Sequence, residues 1–384
     1  MSVTVCIVAN TLRYPKGGGH MWVYLNWALG LRAIGCEIVW LEGLFETATQ
    51  TPCAGIEDLK RRLAPYRLDD RVSVWGDLSG SEVGPLGSIS LEEAASSADL
   101  LLSLCYDTPE SVVGRFRRSA LVDIDPGLLQ LWLSGYDLAI APHDVLFTTG
   151  ETIGHPGSLI PDLGWSWQYT PPCVSLEAWT PKESVGDAAF STITHWWSND
   201  WLRSERGDLE SNEKRTGFLP YLDVPRRTSQ PMELAMQLVQ QEHAGIPAFM
   251  AKEEAMLRSH GWRVQDSWTV ASTPWDYQGY IQRSRGEFSC AKPSCISLQN
   301  AWVSDRTLCY LASGKPAVVQ HTGPSRILPD DRGILRFKTP EEAVRCLDAV
   351  AADYDGHCHA ARSLVEEHFD AKRVARSVLE RALP

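Results

Sequence analysis

Short apolar runs alternate with longer amphipathic stretches along this chain, and that alternation is what most limits its fold. "VTVCIVA" (residues 3–9) precedes an amphipathic segment at 19–35, and "EIVWLE" (37–42) follows it. Uninterrupted apolar runs of this length fit strands buried on both faces, and helical spacers between them require parallel pairing. "RVSVW", "DLLLSL" (99–104), "SALVDID" (119–125) and "YDLAIA" (136–141) continue the pattern, with Ser90-Leu91-Glu92-Glu93 opening a helix by capping-box spacing.

Between residues 156 and 181 the alternation dissolves into proline, tryptophan and glycine. "AAFSTIT" (188–194) then starts a second α/β region. "KEEAMLRSHGW" reads as helix, "YQGYIQRSRGEFS" as helix running to strand, and "SDRTLCYLASG" as a helix ending at Gly314. "PAVVQ" and "GILRF" read as buried strands, and the tail from Pro340 is mostly helical. A chain of 384 residues is too long for one ordinary core. The expectation is two doubly wound, Rossmann-like domains, 1–180 and 181–384, facing across a cleft. Ligands in such folds sit at the carboxyl ends of strands, so the loops after each strand carry the search for function.

Several classes of function are disfavoured. A net charge of −12 opposes a broad nucleic-acid surface, which needs a cationic face. No window is long and apolar enough to span a bilayer, and "MSVTVCIVAN" reads as a strand rather than a leader. The ten cysteines are scattered without a Cys-x-x-Cys pair, the usage of a reduced cytoplasmic protein. "HCH" at 357–359 lies in a polar helical stretch, and no metal is expected. Six of the 15 tryptophans fall between Trp165 and Trp201, where they suit either an aromatic wall for an acceptor or core packing.

The glycine stretch "RYPKGGGHMW" (13–22) joins the first strand to the first helix. A dinucleotide fingerprint needs G-x-G-x-x-G in a tight turn directly after the strand. Gly17 and Gly19 supply the first pair, but Trp22 stands at the third position and the strand ends as early as Ala9. Glu42 mimics the ribose-binding acid without the rest of the motif. Gly17, Gly18 and Gly19 instead suit a looser loop that offers backbone N–H groups to an anion at a helix start, with His20 beside it.

The stretch "LASGKPAVVQHTG" resembles the donor-binding half of nucleotide-sugar glycosyltransferases of the GT-B fold, in which a helix runs into A-x-G-x-P-V-V and a short loop. "GGGHMWVYLNWALGLRAIGCEIVWLE" is similar to the glycine loop and first helix of that superfamily, and "GILRFKTPEEAVRCLDAV" to its late strand and helix. The "DIDPG", "HDVLFTTGE" and S-x-x-E-F-x-x-A-K blocks look like those of bacterial single-polypeptide transferases. At the positions of the twin glutamates of the retaining branch this chain has Ala301 and Cys309, which leaves donor and stereochemistry open.

The resemblance implies transfer of a sugar from a nucleotide-sugar, a co-substrate rather than a bound cofactor, to an acceptor hydroxyl, with a small molecule as the expected acceptor. The leaving diphosphate needs positive groups and helix N-terminal amides. Arg285, Lys292 and Arg306 are the candidate cations. Glu287, Ser304, Asp305, Thr307, Thr322 and Gly323 are candidates for ribose, sugar or phosphate contacts, together with Gly17, Gly18 and Gly19. If the reaction inverts configuration, a base must take the acceptor proton. His20 stands where inverting members carry theirs. Asp125 in "VDIDPG", after Asp123, and Asp144 in "APHDVLF", after His143, are the other candidates, each placed at the carboxyl end of a strand. An epimerase or phosphorylase on the same fold, or a non-catalytic nucleotide-sugar-binding protein, are the alternatives.

Overall fold

The computed structural model describes residues 2–44, 52–76, 87–135, 138–197, 201–203, 209–239 and 245–383. The chain forms two compact units. The first comprises Met1–Pro156, Ile160–Ser175 and Phe369–Pro384, and the second Gly157–Leu159 and Leu176–His368.

The first unit holds seven strands: β1 (Thr4–Ala9), β2 (Glu37–Gly43), β3 (Val72–Trp75), β4 (Leu100–Ser103), β5 (Ser119–Asp123), β6 (Val145–Thr148) and β7 (Trp167–Tyr169). They pair in the order β3-β2-β1-β4-β5-β6-β7, all parallel. The order reverses direction between β1 and β4, so a crevice opens beyond the carboxyl ends of those two strands. The continuous apolar runs are strands covered on both faces: Val5, Cys6, Ile7, Leu100, Leu101 and Leu102 are buried.

Helix α1 (Gly18–Ala33) buries residues around most of its circumference, among them Trp22, Tyr24, Leu25 and Trp27. The second cover comes from the other end of the chain. Helix Ala371–Ala382 packs on α1, burying Val374, Ala375, Val378 and Ala382. Gly30 permits the approach, since a Cβ there would lie 2.6 Å from the Cβ of Ala371. The sequence alone groups this helix with the second unit, because its amphipathic stripe does not say which partner it covers.

The second unit repeats the plan with β8 (Phe190–Thr194), β11 (Met232–Met236), β12 (Arg263–Asp266), β13 (Gly286–Ser289), β14 (Ala317–Gln320) and β15 (Ile334–Phe337), ordered β12-β11-β8-β13-β14-β15. The strands β9 (Trp201–Arg203) and β10 (Leu209–Ser211) form a separate antiparallel pair. Here the order reverses between β8 and β13. The core joins Phe190, Phe218, Trp262, Phe288 and Phe337, with the last two rings stacked at 5.3 Å.

One strand expected from the sequence is not formed, and β6, β7, β11 and β12 are not expected from it. Residues 138–141 of "YDLAIA" form no strand, residues 136 and 137 lie outside the described ones, and the chain next enters the sheet at "VLFT". Both runs are apolar, and only pairing with β5 distinguishes them. Of the tryptophans from 165 to 201, Trp179 and Trp196 are core residues, Trp165 is exposed, and the side chain of Trp201 lies outside the described residues.

Candidate functional site

In the second unit, polar groups gather beyond the carboxyl ends of β8 and β13. Helix Asp305–Ala312 begins there, capped by Ser304, whose Oγ accepts from the Arg306 N–H at 3.3 Å. The Arg306 guanidinium is held on every side: Nε donates to Glu287 at 2.8 Å, one terminal nitrogen to the Ile193 carbonyl at 2.8 Å, the other to Ser289 Oγ at 2.7 Å. Glu287 is completely buried within β13, and its Oε2 has no partner. Arg306 is therefore tied to a carboxylate that would otherwise be stranded.

Lys214 enters this ensemble from the start of helix Lys214–Phe218. It is buried, donates to the Cys290 carbonyl at 2.7 Å, and stands 5.5 Å from the Trp302 ring centroid. Burial, with the charges of Arg306 and Lys292 nearby, pulls its ammonium down to about 7. Lys292 caps helix Pro293–Ser297 in the same loop. Asn212 is completely buried, accepts from Ser294 N–H at 2.9 Å, and leaves its Nδ2 without a partner. Thr194 Oγ1, at the end of β8, is a second buried polar atom with none. Lys214 and Arg306 against the one carboxylate of Glu287, beside buried polar atoms that have no partner, make a place suited to an anion.

Beside it lies a small recess, lined among others by Ala291, Trp302, Thr307, Gln320 and Thr322. Its wall is a constrained loop in which Gln299 and Ala301 both take left-handed backbone conformations. Thr322 fixes it, with its hydroxyl donating to the Trp302 carbonyl at 2.7 Å and its own carbonyl accepting from Ala301 N–H at 3.0 Å. Gly323, at φ +126°, passes so close to Gln299 that a Cβ would meet that carbonyl oxygen at 2.6 Å. Thr322 and Gly323 thus shape the loop. Thr307 is buried on the recess wall, and Asp305 is half-buried in the first helical turn.

Arg285 is a correction. It precedes β13, at the amino edge of the sheet and opposite the crevice, with its guanidinium 4.1 Å from the Tyr354 ring centroid. A side chain two residues from Glu287 in sequence sits at the other end of the strand's approach, so it does not join the cationic group.

In the first unit the crevice beyond β1 and β4 collects Asn10, His20, Tyr24 and Cys105. Gly17 caps α1, and Gly18 and Gly19 form its first turn. None of the three has a positive φ, and the first-turn amides lack acceptors within the helix. His20 Nε2 lies 2.5 Å from Asn10 Oδ1, to which Tyr24 also donates at 2.6 Å. Burial lowers the imidazole to about 4, so it is neutral at pH 7. Glu42, at the end of β2, accepts from Thr11 N–H and from the Trp40 indole at 3.1 Å. Burial raises it to about 7, and it braces the turn after β1.

Asp123 is buried at the end of β5, accepting from Gln130 and the Thr148 hydroxyl, both at 2.8 Å, and from Asp125 N–H at 3.0 Å. Burial lifts it to about 6. It organises the turn, and Asp125 is the exposed member, on the crevice side. Asp144 is the second correction. It precedes β6 and accepts from Ser119 N–H at 2.8 Å, where β5 begins. The start of β5 and the approach to β6 both lie at the amino edge of the sheet, away from the crevice. The misplaced strand "YDLAIA" is the cause: it turned the approach to a strand into its exit.

Sequence reasoning missed Lys214, Asn212, Thr194 and Asn10. "SNEKRTGF" reads as an exposed polar stretch, and nothing in it signals a buried lysine. Asn10, a polar residue directly after the first buried strand, was the one with a usable signal.

No protein-family model matches the sequence, and comparison with curated proteins finds no sequence match. The structure is similar to solved glycosyltransferase structures. Sucrose-phosphate synthase from Thermosynechococcus elongatus superposes with a TM-score of 0.55 at 11% identity, over 99% of this chain and 98% of that one. An alpha-glucosyltransferase in complex with UDP-glucose and DNA containing an abasic site gives 0.58 at 11%, over 100% of both chains. Anabaena HepE in complex with UDP-glucose gives 0.57 at 12%, over 98% of both. The likeness shows the fold, two Rossmann-like α/β units of the GT-B type.

Proposed function

We propose that this chain is a glycosyltransferase that takes its sugar from a nucleoside-diphosphate sugar. The observation that carries the reading is the cationic pair of buried Lys214 and part-buried Arg306 at the switch point of the second sheet, with Lys292 nearby and the unpartnered Asn212 Nδ2 beside them. A diphosphate leaving the anomeric carbon gains negative charge, and preorganised cations stabilise it most where water is excluded. Arg306 and its Glu287 partner give the group a fixed frame, and Lys214 supplies a charge that the free protein holds at a cost. The GT-B neighbours, bound to UDP or UDP-glucose, support a donor of this class.

On the acceptor side, His20 and Asp125 are the base candidates left at the crevice of the first unit. The acidic balance favours a small-molecule acceptor over a nucleic acid, although one structural neighbour was solved with DNA. Side-chain cations account for the charge the leaving group requires, so the reading carries no metal. The buried thiols favour a cytoplasmic setting.

The test is calorimetric titration of uridine, guanosine and adenosine diphosphates into the wild-type protein, Lys214→Met and His20→Gln, with and without EDTA. One diphosphate is expected to bind, about 10-fold or more weaker in Lys214→Met, the loss of a charge-assisted contact. His20→Gln and EDTA should leave its affinity unchanged. Absence of binding by any of the three to folded wild-type protein would refute the reading. Arg306→Ala is a poor probe, because it strands Glu287 and threatens the fold itself.

A further inference from the structure

His20 is held by Asn10, through the side-chain oxygen and the backbone, and the identity of this partner decides what the ring can do. Asn10 Oδ1 has two neighbours, His20 Nε2 at 2.5 Å and the Tyr24 hydroxyl at 2.6 Å. An amide oxygen accepts and cannot donate, so both neighbours must bring a proton. Tyr24 brings its only one. The Tyr24 oxygen is also 3.4 Å from Nε2 and 3.8 Å from Cys105 Sγ. With the tyrosine proton committed to Asn10, Nε2 has no donor to accept from and must itself be the N–H. A neutral ring with its proton on Nε2 carries its lone pair on Nδ1. Among the described residues no side chain hydrogen-bonds Nδ1.

We propose that Asn10, supported by Tyr24, is a positioning residue that locks His20 as the neutral Nε2–H tautomer and leaves Nδ1 as its one proton-accepting nitrogen. The choice of amide over carboxylate is the substance of the device. An aspartate at this position would favour the imidazolium and make His20 a resident cation. Asparagine fixes the same orientation and leaves the ring uncharged, in keeping with burial as the dominant influence on it, over the smaller, opposing pull of the Asn10 backbone. The groups around the ring do not supply the missing charge. Tyr14 and Tyr24 meet it edge-on, and burial keeps the Tyr24 hydroxyl and the Cys105 thiol protonated. Glu42 is engaged by Thr11 and Trp40, Asp107 is paired with Arg13 at 2.6 Å, and Asp125 stands exposed beyond Tyr24.

The inference deepens the proposed acceptor side and rests on it for its use. There, Nδ1 would take the acceptor's O–H proton while the acceptor oxygen bonds to the anomeric carbon and the diphosphate departs with the electron pair of the broken bond.

The test does not depend on turnover. Ring ¹⁵N–¹H correlation spectra of the histidine-labelled full-length protein, with His20 assigned by its loss in His20→Gln, report tautomer and charge directly. The expected result is the Nε2–H form with no imidazolium down to about pH 5, below the ordinary histidine range. In Asn10→Asp the imidazolium should appear near neutrality, and in Asn10→Ala the ring should show both tautomers. A wild-type Nδ1–H tautomer, or an imidazolium at about pH 6.5, overturns the proposal. Transfer assays separate it from the functional reading. If the spectra are as expected and His20→Gln loses about 100-fold or more in rate, both stand. If the spectra are as expected and the rate is unchanged, the tautomer lock stands and the base role falls.

Discussion

Lys214 shows how much a single residue's meaning depends on its surroundings. In the unfolded chain it holds its proton to about 10.5, and in the folded, ligand-free protein only to about 7. Between those values the unfolded state binds more protons, so the stability of the free protein should rise with pH through that window. An anion at the site reverses the preference by restoring the charge. Diphosphate binding should then take up a proton above about pH 7, and affinity should fall as pH climbs. Titrations at about pH 8 in two buffers of different ionisation heat check this. Uptake approaching one proton is expected in the wild type and none in Lys214→Met. Heats independent of the buffer would remove Lys214 from the site. Other residues were legible in part. The sequence already places His20, Lys292, Ser304 and Arg306 next to strand ends and helix starts. The partners that define their states, Asn10, Glu287 and Lys214, are brought to them by the fold.

At the scale of elements, apolar runs and capping signals identified most strands and helices. The Ser90 cap accepts from Glu93 N–H at 3.1 Å, as its spacing implies. The failure at "YDLAIA" has a physical cause: a short apolar run is equally suited to a strand and to the stretch leading into one, and hydrogen bonding to β5 decides. That error carried Asp144 to the wrong edge of the sheet. Helix contacts make a second kind of prediction. Alanine ordinarily gains about 1 kcal/mol over glycine inside a helix. Gly30→Ala should instead lose about 1–3 kcal/mol by overpacking against Ala371. Gly279 is also helical, but a methyl group added there would meet nothing within 4 Å, so Gly279→Ala should gain stability. Urea unfolding midpoints that shift in the same direction for both would contradict the close approach.

For the molecule as a whole, the last helix completes the first unit from the far end of the chain. Val378 on that helix is fully buried, whereas Arg376 is exposed. Val378→Asp should lower the melting temperature strongly, because it places an unpaired charge in the core, and Arg376→Asp should barely move it. Equal effects would mean that the helix is not an integral part of the unit. By itself the sequence determined the α/β class, the parallel sheets and the position of the main loops, because periodicity and capping are local properties of the chain. Only the tertiary structure decided the strand order that opens a crevice in each sheet, the return of the last helix and the true edge of Asp144 and Arg285. It also decided the partners that set the charge of Lys214 and the tautomer of His20, since burial and hydrogen bonding join residues that lie far apart in sequence.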